Sequence, residues 1–186
     1  MKNKLFVMSA ASGAGKTTLK DIVIKEFPDI QYSISATTRP PRAGEKNGVH
    51  YFFKDKDDFL KMIKNDELVE WNEVHGNYYG TPKRFVEETL AAGNRVLFDL
   101  DVFGKINFDK VYPESTGILI LPPSIEVLKQ RLHSRATDTE KVINLRLENA
   151  KKEMEFARTH GKYEYTIINN DLEKAANELR KILKNS

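Results

Sequence analysis

Apolar residues in this chain gather in short runs, and the stretches between those runs repeat apolar positions every three or four residues. Short apolar runs bounded by turn residues predict buried strands, and the longer period predicts amphipathic helices. Leu5-Phe6-Val7-Met8 opens a strand expected over 5–9, and 17–27 predicts a helix that Pro28 stops. Residues 32–35 are briefly strand-like, and 36–48, rich in Arg, Pro and Gly, predicts a loop. Strands are expected at 49–54 and 68–75, with a helix at 57–64 between them. Gly76-Asn77 suits a hairpin turn leading into Tyr78-Tyr79. Thr81-Pro82 offers a capping hydroxyl followed by proline at a first helical position, so a helix is expected from there to about Gly93.

The second half keeps the rhythm. Residues 95–99 predict a strand that ends on Asp99, and 117–121 another, closed by Pro122-Pro123. Helices are expected at 124–134 and 138–158, the second opened by the capping-box pair Thr137 and Glu140. Its stripe of Ile143, Leu147, Ala150, Met154 and Ala157, spaced 4, 3, 4 and 3 apart, faces a core. A last strand at 165–168 precedes a final helix that Asn170 and Glu173 would cap. Strands alternating with helices predict an α/β fold, a parallel core sheet with helices on both faces. The segment 49–79 breaks that rhythm and reads as a small antiparallel insertion.

The 186 residues fit one domain with a sizeable core. The net charge of +3 is too mild to imply a nucleic acid polymer as partner. There is no cysteine, hence no thiol nucleophile, disulfide framework or thiolate metal site. His50, His75, His133 and His160 are scattered, with no metal-ligand spacing among them. The N-terminus is a poor secretory signal, and no apolar stretch approaches the ~20 residues that span a bilayer. A cytoplasmic protein is expected.

The chemistry starts at "SAASGAGKTT", residues 9–18. After a strand and before a helix, such a loop turns backbone N–H groups and a helix N-terminus toward a phosphate. Ala10, Ala11, Ser12, Gly13, Ala14, Gly15, Lys16, Thr17 and Thr18 are its candidate nucleotide-binding residues. Lys16 supplies a point charge, and the Thr17 hydroxyl can ligate Mg²⁺. The usual G-x-x-x-x-G-K-[ST] pattern has glycine where this chain has Ala10, a change that is tolerable if the backbone there keeps a negative φ. A glycine-rich turn with a chance lysine is the bland alternative. "LFDLD", residues 97–101, ends a strand on Asp99, which suits a carboxylate that holds Mg²⁺ directly or through water. Farther on, Arg39, Arg42 and Tyr51 lie in "SISATTRPPRAGEKNGVHYFF", residues 33–53, and suit bidentate phosphate recognition with a hydroxyl beside it. A solvated basic loop is the alternative there.

Four blocks, "SGAGKTTL", "SATTRPPRAGEKNGVHYFF", "VEWNEVHGNYYGTP" and "RLHSRATDTEKVINLRLENAKKE", make the chain resemble the guanylate kinases from about residue 4 to residue 184. The resemblance implies a single domain of the P-loop nucleoside monophosphate kinase fold, with the P-loop at 10–17, an antiparallel GMP-binding region at about 35–82 and a helical lid at about 125–158. It implies transfer of the γ-phosphoryl group of MgATP to GMP, while activity on dGMP and the choice between monomer and homodimer stay open at this level. By position, Arg39, Arg42, Tyr51 and Tyr79 would hold the GMP phosphate, with Glu45 also on the substrate side, and Ser35, Glu70 and Thr81 would read guanine. Guanine presents its N1–H and 2-amino donors on one edge, and a carboxylate accepts both. A site built this way rejects a base lacking those donors by ~10⁴-fold. Asp101 would lie near GMP or its arginines, and Asn169 near the adenine end. Lys16, Arg135, Arg146 and Asp99 would carry the transfer, with Mg²⁺ on Thr17 and Asp99. Arg131, one turn before Arg135, suits a surface ion pair as readily as a catalytic role.

Three positions depart from the family pattern. They are Ala10, Phe103 where glutamine is usual, and Asn170 where an acidic residue is common. Two other readings stay open at this level, a catalytically silent interaction module of the same fold and a related kinase acting on ribose bisphosphate. The P-loop lysine and the lid arginines speak against the first, and Glu70, Tyr79 and Thr81 against the second.

Overall fold

In the computed structural model, which describes residues 4–74, 76–134 and 139–185, the first strand, β1 (Leu5–Ala10), is buried through Ser9 and sends its side chains alternately to two faces. Leu5 and Val7 join Val86, Val96, Phe98 and Phe108 in one apolar cluster. Phe6 and Met8 join Leu19, Leu97, Ile118, Ile120 and Leu179 in another. A strand apolar on both faces has to lie inside a sheet covered on both sides.

Among the described residues that sheet has five strands in the order β2-β7-β1-β8-β9. They are β2 (Ile30–Tyr32), β7 (Arg95–Asp99), β8 (Thr116–Leu121) and β9 (Tyr165–Ile168) around β1. Every pairing is parallel, with Met8 opposite Asp99 and Ala10 opposite Ile120. Helices α1 (Lys16–Val23) and α7 (Leu172–Asn185) cover one face. Helices α3 (Lys83–Ala91) and α4 (Val102–Val111) cover the other. The carboxyl ends of β1 and β7 bring the loop after Ala10 and the carboxylate of Asp99 to the same edge, where ligands of parallel sheets bind.

A second sheet has the order β4-β3-β6-β5, from β3 (Ala36–Thr37), β4 (Phe52–Phe53), β5 (Leu68–Val74) and β6 (Asn77–Pro82). It is mixed rather than wholly antiparallel. The hairpin β5–β6 and the pair β3–β6 are antiparallel, but β4 runs parallel to β3, because the loop through 38–51 carries the chain back to its starting end. Helix α2 (Lys56–Lys64) closes this sheet with Phe59, which is fully buried and stacks on Tyr78 with ring centroids 5.6 Å apart. Gly80 permits the approach, since a Cβ there would lie 2.9 Å from Leu68 Cδ1 and 3.0 Å from the Glu70 carbonyl.

Helices α5 (Ile125–His133) and α6 (Glu140–His160) pack through Leu128, Leu132, Ile143, Leu147 and Ala150 around Ala11, so the apolar stripe expected on α6 faces the core. Thr137, half of the expected capping box, lies outside the described residues, as does His75 at the end of an expected strand.

Several local expectations differ from the structure. Thr81 does not cap a helix. Strand β6 continues through it to Pro82, and its hydroxyl turns to Glu70. The last helix is capped by Asp171, whose Oδ1 accepts from Lys174 N–H at 2.9 Å, and not by Asn170. The expected strand at 49–54 contracts to Phe52–Phe53, and the one at 32–35 shifts back to Ile30–Tyr32. Helix α4 has no counterpart in the sequence reading, because Gly104 and the β-branched Val102 and Ile106 are weak helix formers. Burial of Phe108 against Phe98, with rings 4.5 Å apart, and the Asp101 cap onto Gly104 N–H at 2.6 Å hold it in place. No helix among the described residues is long and apolar enough to cross a membrane.

Inside α4, Lys105 has a fully buried side chain, with its ammonium 2.5 Å from both Asp109 carboxylate oxygens and 3.3 Å from Ser115 Oγ. A buried cation left without its carboxylate costs about 3–5 kcal/mol. Asp109→Ala is therefore expected to lower unfolding stability by about 3 kcal/mol, read from the urea midpoint. A loss under about 1 kcal/mol would show that Lys105 is relieved by other groups.

Candidate active site

The loop after β1 is a tight turn built on two glycines. Gly13 and Gly15 both have φ +92°, a region that L side chains avoid. A Cβ on Gly13 would also meet Leu128 at 2.9 Å and Leu132 at 3.1 Å. Ala10 needs no such freedom, since it ends β1 in ordinary strand pairing with Ile120 and has no positive φ. The departure from the glycine pattern therefore costs the loop nothing in backbone strain.

The carbonyl of Ala14 is held from behind. Asn169, only 4% exposed, donates its amide to that carbonyl at 2.8 Å. Arg131 donates to the carbonyls of Asn169 at 2.7 Å and Ala14 at 3.5 Å. Arg131 thus ties β9 to the loop through carbonyl oxygens. Thr17 and Thr18 are exposed in the first turn of α1. Lys16 pairs with the Asp99 carboxylate and donates to the Leu100 carbonyl at 3.1 Å. From α6, Arg146 reaches over the loop to Ser12 Oγ at 2.8 Å. Arg135 lies outside the described residues.

Facing the loop, Glu70 is buried on β5 and accepts from the Thr81 hydroxyl at 2.6 Å across the hairpin. Burial pushes its carboxyl up to about 8, with the Thr81 hydrogen bonds pulling the other way and the Asp101 charge adding to the rise. Gly104 leaves room between the two carboxylates, since a Cβ there would stand 3.3 Å from Asp101 Oδ1 and 3.3 Å from Glu70 Oε2.

A third group forms around Arg39. Its guanidinium makes paired contacts of 2.9 Å with both Glu45 oxygens and lies 5.4 Å over the Tyr51 ring. Glu45 also accepts from Arg42 N–H at 2.7 Å. The Arg39 hydrogen bond holds the Glu45 carboxyl below its ordinary range. Tyr51 meets Tyr79 edge-on with centroids 6.0 Å apart, and burial pushes its phenol up to about 12. Glu45 is therefore the prop that orients Arg39.

Lys16 and Asp99, Glu70 and Asp101, and Tyr51, Tyr79 and Ser35 line one cleft of about 210 Å³. Asn72, Gly80, Leu100 and Gly104 line it too, and the sequence reading had singled out none of them. The period-two alternation of β5 puts Asn72 on the same face as Glu70 and could have found it. Nothing local pointed to Gly104, which depends on α4. A second cleft, of about 430 Å³, continues past Arg39, Arg42, Tyr51 and Tyr79 to Lys20 and Tyr32.

A phosphate loop at the carboxyl edge of a parallel sheet, set against a polar cleft on a smaller sheet, is the layout of the P-loop nucleoside monophosphate kinases. Comparison with known proteins narrows that class. The family model described as guanylate kinase matches residues 2–186. The guanylate kinase of Carboxydothermus hydrogenoformans is 48% identical over 98% of this chain and 88% of its own length. That of Fusobacterium nucleatum is 46% identical over 97% and 96%. The crystal structure of guanylate kinase from Anaplasma phagocytophilum superposes with a TM-score of 0.79 at 31% identity, covering 98% of this chain and 85% of that one. The chain belongs to the guanylate kinase family, and its activity is that of an ATP:GMP phosphotransferase.

The raised carboxyl of Glu70 has a consequence for stability. Its folded value of about 8 lies above the ordinary 4.5, so the folded state binds the extra proton between those values. That contribution is complete below pH 4.5 and is lost as pH rises through about 8. In ligand-free protein, Glu70→Gln is expected to flatten the fall in urea midpoint between about pH 5 and pH 8. Parallel profiles for the two proteins would mean that Glu70 titrates normally.

Proposed function

We propose the following division of labour for the phosphoryl transfer. Gly13 to Thr18 cradle the ATP phosphates through backbone N–H groups, and Lys16 follows the charge on the β- and γ-phosphates. Arg39, Arg42, Tyr51 and Tyr79 hold the phosphate of GMP, with Glu45 keeping Arg39 in register. Ser35, Glu70, Thr81 and Asp101 read guanine, Glu70 accepting from N1–H and the 2-amino group in its ionised form. Asn169 acts at the nucleotide end by holding the Ala14 carbonyl. Arg146, and Arg135 by its place in the family pattern, neutralise charge on the moving phosphoryl group as the region at about 125–158 closes. The region at about 35–82 is the acceptor-binding part of a single domain over 4–184.

Phosphoryl transfer asks for positioning and charge neutralisation rather than a protein nucleophile. A phosphate oxygen of GMP is itself the attacking group, so a chain without cysteine lacks nothing. Thr17 and Asp99 are hard oxygen donors at the mouth of the loop, and the described residues contain no cluster of three or more His, Cys, Asp or Glu that could cage a metal. That donor set fits Mg²⁺, which is usually bound by one or two protein oxygens together with substrate phosphates and water. Bound there, Mg²⁺ would supply charge neutralisation between the β- and γ-phosphates. Free nucleotides in the cytoplasm are the substrates in this reading, dGMP among them, and the enzyme acts as a monomer or homodimer.

The observation that carries the proposal is the single cleft lined by Lys16, Asp99 and Glu70. Both substrates need their charged ends in that one space. The test is ATP/Mg²⁺-dependent phosphorylation of GMP, dGMP, AMP, CMP, UMP and ribose bisphosphate, with the products identified. GDP is expected as the dominant product. Lys16→Ala is expected to lower kcat by about 10²-fold or more with little change in KM for GMP. Unchanged turnover in that variant would sink the role given to the loop, and efficient transfer to another acceptor would sink the guanine-reading set.

A further inference from the structure

Strand β5 presents a second polar side chain to the acceptor cleft. Glu70, Asn72 and Val74 are two residues apart, so the pleat puts all three on the same face, and all three line the cleft. Across the hairpin Asn72 stands opposite Tyr79, one step along from the hydrogen-bonded pair of Glu70 and Thr81. The ladder therefore reads Glu70–Thr81, then Asn72–Tyr79, then Val74–Asn77. The first rung belongs to guanine in the proposed assignment, and Tyr79 of the second to the phosphate. Asn72 shares the second rung with Tyr79, next to the rung assigned to guanine and on the wall of the cleft.

The chemistry of the free end is defined. Asn72 Oδ1 accepts from Glu73 N–H at 3.1 Å, which fixes the orientation of the amide. Its two N–H donors have no partner among the described residues. A half-buried amide with unused donors at the wall of a polar cleft is suited to a ligand acceptor. Guanine has three such acceptors, O6, N3 and N7, outside the edge that Glu70 takes.

We infer that Asn72 is a further specificity-determining residue, donating its side-chain amide to a ring acceptor of the guanine base. This rests on the acceptor assignment made above and adds to it a donor that complements the carboxylate. Glu70 tests for donors on the base, and Asn72 tests for an acceptor beside them. A base that reverses that pattern leaves groups on both rungs unpaired, which is the costly outcome in a desolvated site.

The test is steady-state kinetics of Asn72→Ala with GMP and with dGMP as acceptors, with Thr81→Ala measured in parallel and the melting temperature of each variant recorded. The change is expected on KM rather than kcat, about fivefold upward for Asn72→Ala and by the same factor for both acceptors, with the KM for ATP held. A rise confined to GMP would move the contact to the ribose 2′-hydroxyl and overturn the assignment to the base. Unchanged KM for both acceptors, with a raised KM in Thr81→Ala, would overturn the Asn72 assignment alone. Unchanged KM in both variants would take down the reading of this sheet face as the guanine site, and the Asn72 assignment with it.

Discussion

The turn that follows β1 is the constraint on which the remainder of the molecule depends. A backbone that exposes several N–H groups in one direction has to place residues at positive φ and leave carbonyls such as that of Ala14 facing the protein. That carbonyl is buried beside Asn169, just past β9, and without side-chain donors it would be an unmet acceptor. Side-chain amide and guanidinium donors from two other elements meet it. Leu128 and Leu132 close over Gly13 so tightly that a methyl group there would collide with them. The loop is therefore stiff because the last strand and the α5–α6 pair hold it, and a stiff loop presents its N–H groups to a phosphate without reorganising.

The same contacts couple the loop to the helices that carry the arginines. Ala11 sits in the apolar cluster of α5 and α6, and Arg146 of α6 bonds Ser12 directly. Any movement of that helix pair is felt at the phosphate loop through packed side chains rather than through a flexible tether. The smaller sheet is attached differently. Its Glu70–Thr81 rung faces Asp101, which caps α4, and α4 is held under the core sheet by Phe108 and by the contacts of Lys105 and Asp109 with Ser115 ahead of β8. The carboxylates of Glu70 and Asp101 are thus anchored to the core through one short helix.

Charge is handled in two ways around the cleft. Where the phosphate of the acceptor would lie, Arg39 is kept cationic and oriented by Glu45, and aromatic rings shield it. Where the base would lie, Glu70 is buried with a hydroxyl as its hydrogen-bond partner, so its carboxyl titrates far above the ordinary range. A desolvated carboxylate makes stronger hydrogen bonds to a matching base and a heavier penalty for a wrong one. The same burial that raises the titration of Glu70 would sharpen selectivity in the proposed guanine site.

Local sequence was enough for much of this. The phosphate loop is legible because its function is a property of a few consecutive residues, and the strands of the core because they are apolar runs. The arginines at 39 and 42 were legible as a phosphate-binding pair against the alternative of a solvated basic loop, but Glu70 and Tyr79 only through similarity to a family, since nothing in a strand carboxylate says what it faces. Tertiary structure decided the rest. It turned Thr81 from an expected helix cap into the partner of Glu70, made β4 parallel to β3, and built α4 from weak helix formers by burying Phe108. It also placed Gly104 between two carboxylates and Asn72 on the wall of the same cleft. These features depend on contacts between residues far apart in the chain. A sequence fixes which groups are available and how the backbone turns locally, and only the packed fold decides which of them meet away from water.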